Sequence, residues 1–153
     1  MFPVIPSMAT SQMKSEQNYH HCGFSTCRII FLAMGLYTFD VSNNQLFGDI
    51  PSSMENMSLL ALDLSNNTLF GGIPRWMGKM SGLEVLLMAN NHFEGPIPVE
   101  FCKLNYSLKF LDLSANNISG SLPSFFSFSR LTHVYLSRNK LKGPITSFIN
   151  SID

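Results

Sequence analysis

Histidine and cysteine are the side chains in this sequence best suited to catalysis or metal binding. A His20-His21-Cys22 run precedes Cys27, but no further ligand follows at a spacing typical of zinc sites. His92 and His133 lie in different sequence contexts. No serine, cysteine or carboxylate recurs near them in the arrangement of a catalytic nucleophile and its base. We therefore predict no catalytic residues, no metal site and no cofactor.

Charge and hydropathy argue against two further classes of function. The 153 residues include ten basic and ten acidic ones, and Lys and Arg form no run, so the basic surface of a nucleic-acid-binding protein is missing. The best apolar run, residues 29–36, is far shorter than the roughly 20 residues of a membrane helix. We predict no nucleic-acid partner and no membrane span in this chain.

Five segments that align with one another without a gap dominate the chain. They begin at leucines spaced by 23, 24, 25 and 23 residues, a period typical of supersecondary units that stack on one another. The predicted repeats are 36–58, 59–82, 83–107, 108–130 and 131–153. Residues 1–28 are polar and aperiodic, and we predict that they are disordered. Residues 29–35 are a short apolar segment, either a degenerate secretory signal or a lead-in to the first repeat.

Each repeat carries the same succession of local patterns. Apolar residues alternate with variable ones near its start, as in a strand with one buried face. A glycine and, in four repeats, a proline follow, which exclude a continuous helix. Apolar residues such as Met77 and Met80 then have the i, i+3 spacing of a short helical turn.

An asparagine stands at the ninth position of every repeat. At the end of a strand its short amide can satisfy backbone groups of its own turn and of the neighbouring one. We therefore predict a structural asparagine ladder formed by Asn44, Asn67, Asn91, Asn116 and Asn139.

The motif GxIP occurs as GDIP, GGIP and GPIP, with GSLP in the fourth repeat. With the apolar columns and the asparagine column, it resembles the plant-type leucine-rich repeat, LxxLxLxxNxLxGxIPxxLxxLxx, over residues 36–153. The resemblance implies an α/β repeat fold. This would be a right-handed leucine-rich-repeat solenoid with a parallel β-sheet on its concave face and short 3-10 or irregular helical turns on its convex face.

The same resemblance implies an ectodomain piece of a plant receptor-like protein or receptor-like kinase, acting in defence or developmental signalling. The implied partners are a protein or peptide ligand and, as a further candidate, a co-receptor kinase. The implied location is extracellular or at the plasma membrane. No cysteine cap is recognisable around Cys22 and Cys27 or after the last repeat, so we expect a truncated fragment. An intracellular scaffold and a non-functional truncated gene product remain alternatives.

Four Asn-x-Ser/Thr sequons are candidate N-glycosylation sites. They could equally be ordinary polar residues of the repeats. The candidate acceptors are Asn56, Asn66, Asn105 and Asn117.

Outward positions along the last two predicted strands combine aromatic and basic residues, which are enriched in interface hot spots. Strands about 4.8 Å apart would place Phe110 beside His133 and Asp112 beside Tyr135. The alternative is a merely solvated sheet face. The candidate ligand- or partner-binding residues are Lys109, Phe110, Asp112, His133, Tyr135 and Arg138.

Overall fold

The computed structural model describes residues 37–122 and 130–143 of the chain. The predictions for residues 1–35 therefore lie outside the described residues. Each repeat contributes two short strands. In chain order the strands are β1 (Thr38–Asp40), β2 (Phe47–Gly48), β3 (Ala61–Asp63), β4 (Thr68–Gly72), β5 (Val85–Leu87), β6 (His92–Gly95), β7 (Phe110–Asp112), β8 (Asn117–Ser121), β9 (His133–Tyr135) and β10 (Lys140–Lys142).

The odd-numbered strands form the predicted parallel sheet, in the order β1-β3-β5-β7-β9. We call it the first sheet. Equivalent residues of adjacent repeats pair directly, as Leu62 does with Leu86 and Leu86 with Leu111. These three leucines are fully buried. A parallel sheet of this kind confirms the predicted strand pattern and the solenoid fold.

The even-numbered strands form a second parallel sheet, in the order β10-β8-β6-β4-β2, which the sequence analysis did not predict. Here the register is offset by two residues between repeats. Phe70 pairs with His92, and Glu94 pairs with Asn117. Strand β4 extends into the glycine-containing segment as far as Gly72, where the glycine and proline predict only that no continuous helix forms.

Short 3-10 helices follow at Ser52–Asn56, Arg75–Lys79 and Val99–Tyr106. A proline precedes each one, and its φ, between −73° and −60°, leads the chain into the turn. The buried residues Met54, Met77 and Phe101 anchor these helices to the core. The helical turns predicted from the i, i+3 spacing are therefore present in the first three repeats.

The core lies between the two sheets and the 3-10 helices, and it is most complete in the middle repeats. Leu64, Met88 and Leu113 share one column and are fully buried. Val41 and Leu136 occupy the same column in the end repeats and are only partly buried. The middle coils are therefore covered on both sides, whereas the described parts of the end coils have one neighbouring coil.

Candidate functional site

The asparagine column closes the turn that follows each strand of the first sheet. Asn91 Nδ2 donates to the carbonyl oxygens of Leu64 (2.9 Å), Ala89 (3.2 Å) and Met88 (3.3 Å). Its Oδ1 accepts a hydrogen bond from the Leu69 N–H at 3.0 Å. Asn67, Asn116 and Asn139 make the same pattern of bonds between successive coils. The amides thus tie each coil to the preceding one and fix the end of the first sheet.

The residue before each of these asparagines has a left-handed backbone, with φ between 51° and 57°. Arg138 is one of them, with a φ of 56°. The sequence analysis placed Arg138 among the outward positions of a strand, but β9 ends at Tyr135 and Arg138 lies in the exposed turn beyond it. In the same column, Asn66 Nδ2 donates to Asn43 Oδ1 at 3.1 Å. The column therefore runs along the edge of the first sheet.

Three aromatic rings meet on the outward face of β7 and β9. Phe110 stacks on His133 with ring centroids 5.2 Å apart and an interplanar angle of 21°. Phe110 also contacts Tyr135 at 5.5 Å in a tilted arrangement. Tyr135 is 44% exposed. We call Phe110, His133 and Tyr135 the aromatic patch.

The strands hold the aromatic patch in a fixed position. Phe110 pairs in register with His133, and Asp112 pairs with Tyr135. Leu111, between the two outward residues of β7, is fully buried. Because side chains alternate along a strand, the burial of Leu111 fixes both of its neighbours outward.

The other candidate binding residues surround the aromatic patch without joining it. Lys109 Nζ lies 2.7 Å from Glu84 Oε2, so its charge is paired on the neighbouring coil. Asp112 Oδ1 accepts hydrogen bonds from the N–H and the hydroxyl of Ser114 at 2.9 and 2.6 Å. With Arg138 in the turn, charged groups of both signs lie around an aromatic centre.

An acidic column lies on the same sheet, toward its amino-terminal end. Asp40 and Asp63 pair in register on β1 and β3. Burial raises the pKa of Asp63, and the nearby carboxylates of Asp40 and Asp112 raise it further, against the lowering effect of hydrogen bonds from Ser65. Asp40 and Asp63 thus form a negative region on β1 and β3, which β5 separates from the aromatic patch.

The four sequon asparagines lie on different parts of the surface. Asn56 ends the first 3-10 helix and is exposed, and Asn105 lies half-buried in the third. Asn66 is exposed in a left-handed turn at the edge of the first sheet. Asn117 begins β8 in the second sheet and is half-buried.

The second sheet also carries outward residues to which the sequence analysis assigned no role. Phe47 and Phe70 are 46% and 49% exposed. The alternation of exposed Thr68, buried Leu69 and exposed Phe70 is the sequence signal that could have revealed this strand.

Within the described ranges, no group of three or more His, Cys, Asp or Glu residues is placed to hold a metal ion. The helices in that part of the chain are all too short or too polar to cross a bilayer.

The sequence profile of the Leucine Rich Repeat family matches residues 35–57, 58–80, 82–104 and 107–129. Receptor-like protein 54 of Arabidopsis thaliana is 33% identical over 156 residues, which cover 83% of this chain and 19% of that protein. The chain thus spans about a fifth of the length of this relative.

Solved plant receptors have the same fold. The plant peptide hormone receptor RGFR1, solved in complex with RGF2, has a TM-score of 0.66 and 37% identity over 71% of this chain and 18% of that one. The Arabidopsis receptor kinase HAESA, solved with the peptide hormone IDA and the co-receptor SERK1, has a TM-score of 0.63 and 33% identity over 67% of this chain and 17% of that one.

Proposed function

The chain belongs to the leucine-rich-repeat family, and from that premise we propose that it is a non-catalytic recognition module of a plant cell-surface receptor-like protein. In this proposal a peptide or protein ligand binds the first sheet, in defence or developmental signalling. The proposed contact residues are Lys109, Phe110, Asp112, His133, Tyr135 and Arg138.

The aromatic patch is the observation that carries this proposal. Aromatic side chains bury a large area at low entropic cost, and their rings add stacking energy, so a few of them can supply most of the binding free energy of an interface. Here Phe110 and Tyr135 are already packed against each other. Binding of a ligand over these two side chains therefore costs little conformational entropy.

The charges around the aromatic patch favour a ligand with polar as well as apolar groups. Asp112 lies beside Tyr135, and exposed Arg138 follows in the turn. A peptide offers backbone amides for both and side chains for the aromatic centre. The peptide-hormone complexes of RGFR1 and HAESA support a peptide as the ligand class, and the HAESA complex supports a co-receptor kinase as a second partner.

A peptide-display selection against the immobilised full chain tests the binding surface. Peptides that bind the parent should bind a Tyr135→Ala, Arg138→Ala double variant at least 30-fold more weakly, corresponding to about 2 kcal/mol for a lost anchor. Tyr106→Ala is the matched control, because Tyr106 is 81% exposed and lies in the third 3-10 helix, away from the first sheet. Equal binding by the double variant would place the site elsewhere.

Cellular location tests the receptor proposal against an intracellular scaffold and a non-functional truncated product. The receptor module should appear in the apoplastic fluid of leaves that express the chain, and its mass should fall on glycosidase treatment. Retention in the cytosol with unmodified Asn105 and Asn117 would favour the scaffold. Failure to detect the protein in the source tissue would favour the truncated product.

A further inference from the structure

A shallow depression of about 570 Å³ lies on the outward face of the second sheet, away from the aromatic patch. Strands β4, β6 and β8 and the turns beside them form its walls. The side chains that give it its chemistry are Phe70, His92, Glu94 and Asn117.

The two-residue offset of the second sheet brings these four side chains into one diagonal row. Phe70 pairs in register with His92, and Glu94 pairs with Asn117. His92 and Glu94 flank buried Phe93 on β6, so both point outward. Because β4 and β8 are two strand spacings apart, and His92 and Glu94 are two residues apart along β6, Phe70 and Asn117 lie at opposite ends of a row roughly 12 Å long.

The chemistry of the row suits a carbohydrate. The half-exposed ring of Phe70 offers an apolar face, on which the C–H face of a pyranose ring can pack. The Glu94 carboxylate accepts hydrogen bonds, and the His92 imidazole can donate or accept one, as sugar hydroxyls and N-acetyl groups require. The length of the row is comparable to that of a disaccharide.

Asn117, which lines the depression, is the acceptor asparagine of the sequon Asn117-Ile118-Ser119. We propose that Asn117 carries an N-glycan whose first two sugars fold back over β6, between His92 and Glu94, and pack against Phe70. This proposal rests on the proposed function in one respect, because the chain must pass through the secretory pathway to be glycosylated.

The asparagines of other sequons lie in different surroundings from Asn117. The side chain of Asn66 is part of a hydrogen-bonded column, in which it donates to Asn43 at 3.1 Å and accepts from Asn90 at 2.8 Å. Asn56 is exposed at the end of a 3-10 helix. Among the four sequon asparagines, Asn117 alone lines the depression. A glycan there covers Phe70 and leaves the aromatic patch on the first sheet open.

A double-mutant cycle on the secreted full chain measures the contact between glycan and ring. Ser119→Ala removes the glycan and keeps Asn117, and Phe70→Ala removes the ring. We expect Ser119→Ala to lower the Tm by about 2–4 °C in the parent and to leave it unchanged in the Phe70→Ala background. Enzymatic removal of the glycan from the parent should reproduce the shift, which separates the sugar from any effect of the serine.

Ser58→Ala is the matched control, because it removes the sequon at Asn56, outside the depression. Its effect on the Tm should be the same with and without Phe70. Proton NMR gives a second readout, since sugar protons stacked over the Phe70 ring should shift upfield in the parent and return to their ordinary positions in Phe70→Ala.

The outcomes separate this inference from the proposed function. A glycan on Asn117 that shows neither thermal coupling nor upfield shifts would overturn the inference alone, and so would glycans at Asn56 and Asn105 with none at Asn117. No glycan at any of the four sequons would overturn both proposals.

Discussion

Asn91 provides the sharpest test of how the coils are held together. It is 5% exposed, and its Oδ1 is the acceptor for the Leu69 N–H of the preceding coil. Its Nδ2 donates to the carbonyls of Leu64, Met88 and Ala89. Asn91→Ala deletes all four bonds and leaves the backbone of both coils in place.

The cost of this change follows from which groups lose their only partner in that network. The Leu64 carbonyl still accepts from Asn67 Nδ2, and the Met88 carbonyl from Asn116 Nδ2. The alanine offers no acceptor for the buried Leu69 N–H, so this donor loses its hydrogen bond to Asn91 Oδ1. An unsatisfied buried donor costs about 1–3 kcal/mol. Adding the weakened carbonyl interactions, we expect Asn91→Ala to reduce the free energy of unfolding by roughly 2–4 kcal/mol.

Asn44 is the matched control because it occupies the same column in the first repeat and is exposed. Its Nδ2 donates to the carbonyls of Val41 and Ser42, both at 2.9 Å, and water can replace those bonds. Asn44→Ala should therefore cost no more than about 1 kcal/mol. Asn91→Asp separates the two halves of the amide, because it keeps an acceptor for the Leu69 N–H but turns a buried carboxylate toward three carbonyls. It should be at least as destabilising as Asn91→Ala.

Urea denaturation of the three variants measures these differences. Trp76, the single tryptophan, packs partly buried against the core, so its fluorescence reports unfolding of the coil that contains it. Losses for Asn91→Ala and Asn44→Ala that agree within about 0.5 kcal/mol would refute the ladder argument. A parent-like midpoint for Asn91→Asp would refute the donor role of the amide.

Burial raises the pKa of Asp63, so its ionised form lowers the free energy of unfolding at neutral pH. This loss of stability disappears as the pH falls through the raised pKa toward the ordinary value of 3.8, because the folded chain then binds the proton. Asp63→Asn, which keeps an acceptor for the Ser65 N–H, should therefore unfold at higher urea than the parent at pH 7 and lose that advantage at low pH. Gly78→Ala should cost about 1–3 kcal/mol, because a Cβ at this position would overlap the Glu100 carbonyl of the adjacent 3-10 helix. Gly72→Ala, whose Cβ would meet nothing closer than 3.9 Å, should change the thermal midpoint much less.

The architecture could be predicted because every coil repeats the same physical requirements. A buried strand residue such as Leu86 and a helix anchor such as Met77 occupy fixed positions in their columns. The direct register of the first sheet then places equivalent columns side by side. For that reason the neighbourhood of Phe110 and His133 could be predicted from the alignment of repeats alone.

The position of Arg138 could not be predicted in the same way. Alternation along β9 would give Arg138 the inward side, like Val134 and Leu136, but the strand ends at Tyr135. The turn before Asn139 then requires a positive φ, which an arginine adopts at a cost of about 1–2 kcal/mol. The hydrogen bonds of Asn139 to the backbone oppose that cost. The sequence identifies the asparagine but does not show that its predecessor leaves the sheet.

The two sheets differ in how a sequence alignment maps onto space, and this explains why one surface was predicted and the other was not. In the first sheet, neighbours in an alignment column are neighbours in space. In the second sheet the offset of two residues pairs Phe70 with His92 and Glu94 with Asn117, which stand in different columns. The side chains that line the depression therefore lie in different columns of the aligned repeats, although they are neighbours in space. Because outward residues are free to vary from coil to coil, only the strand register brings a ring, an imidazole, a carboxylate and a sequon asparagine together.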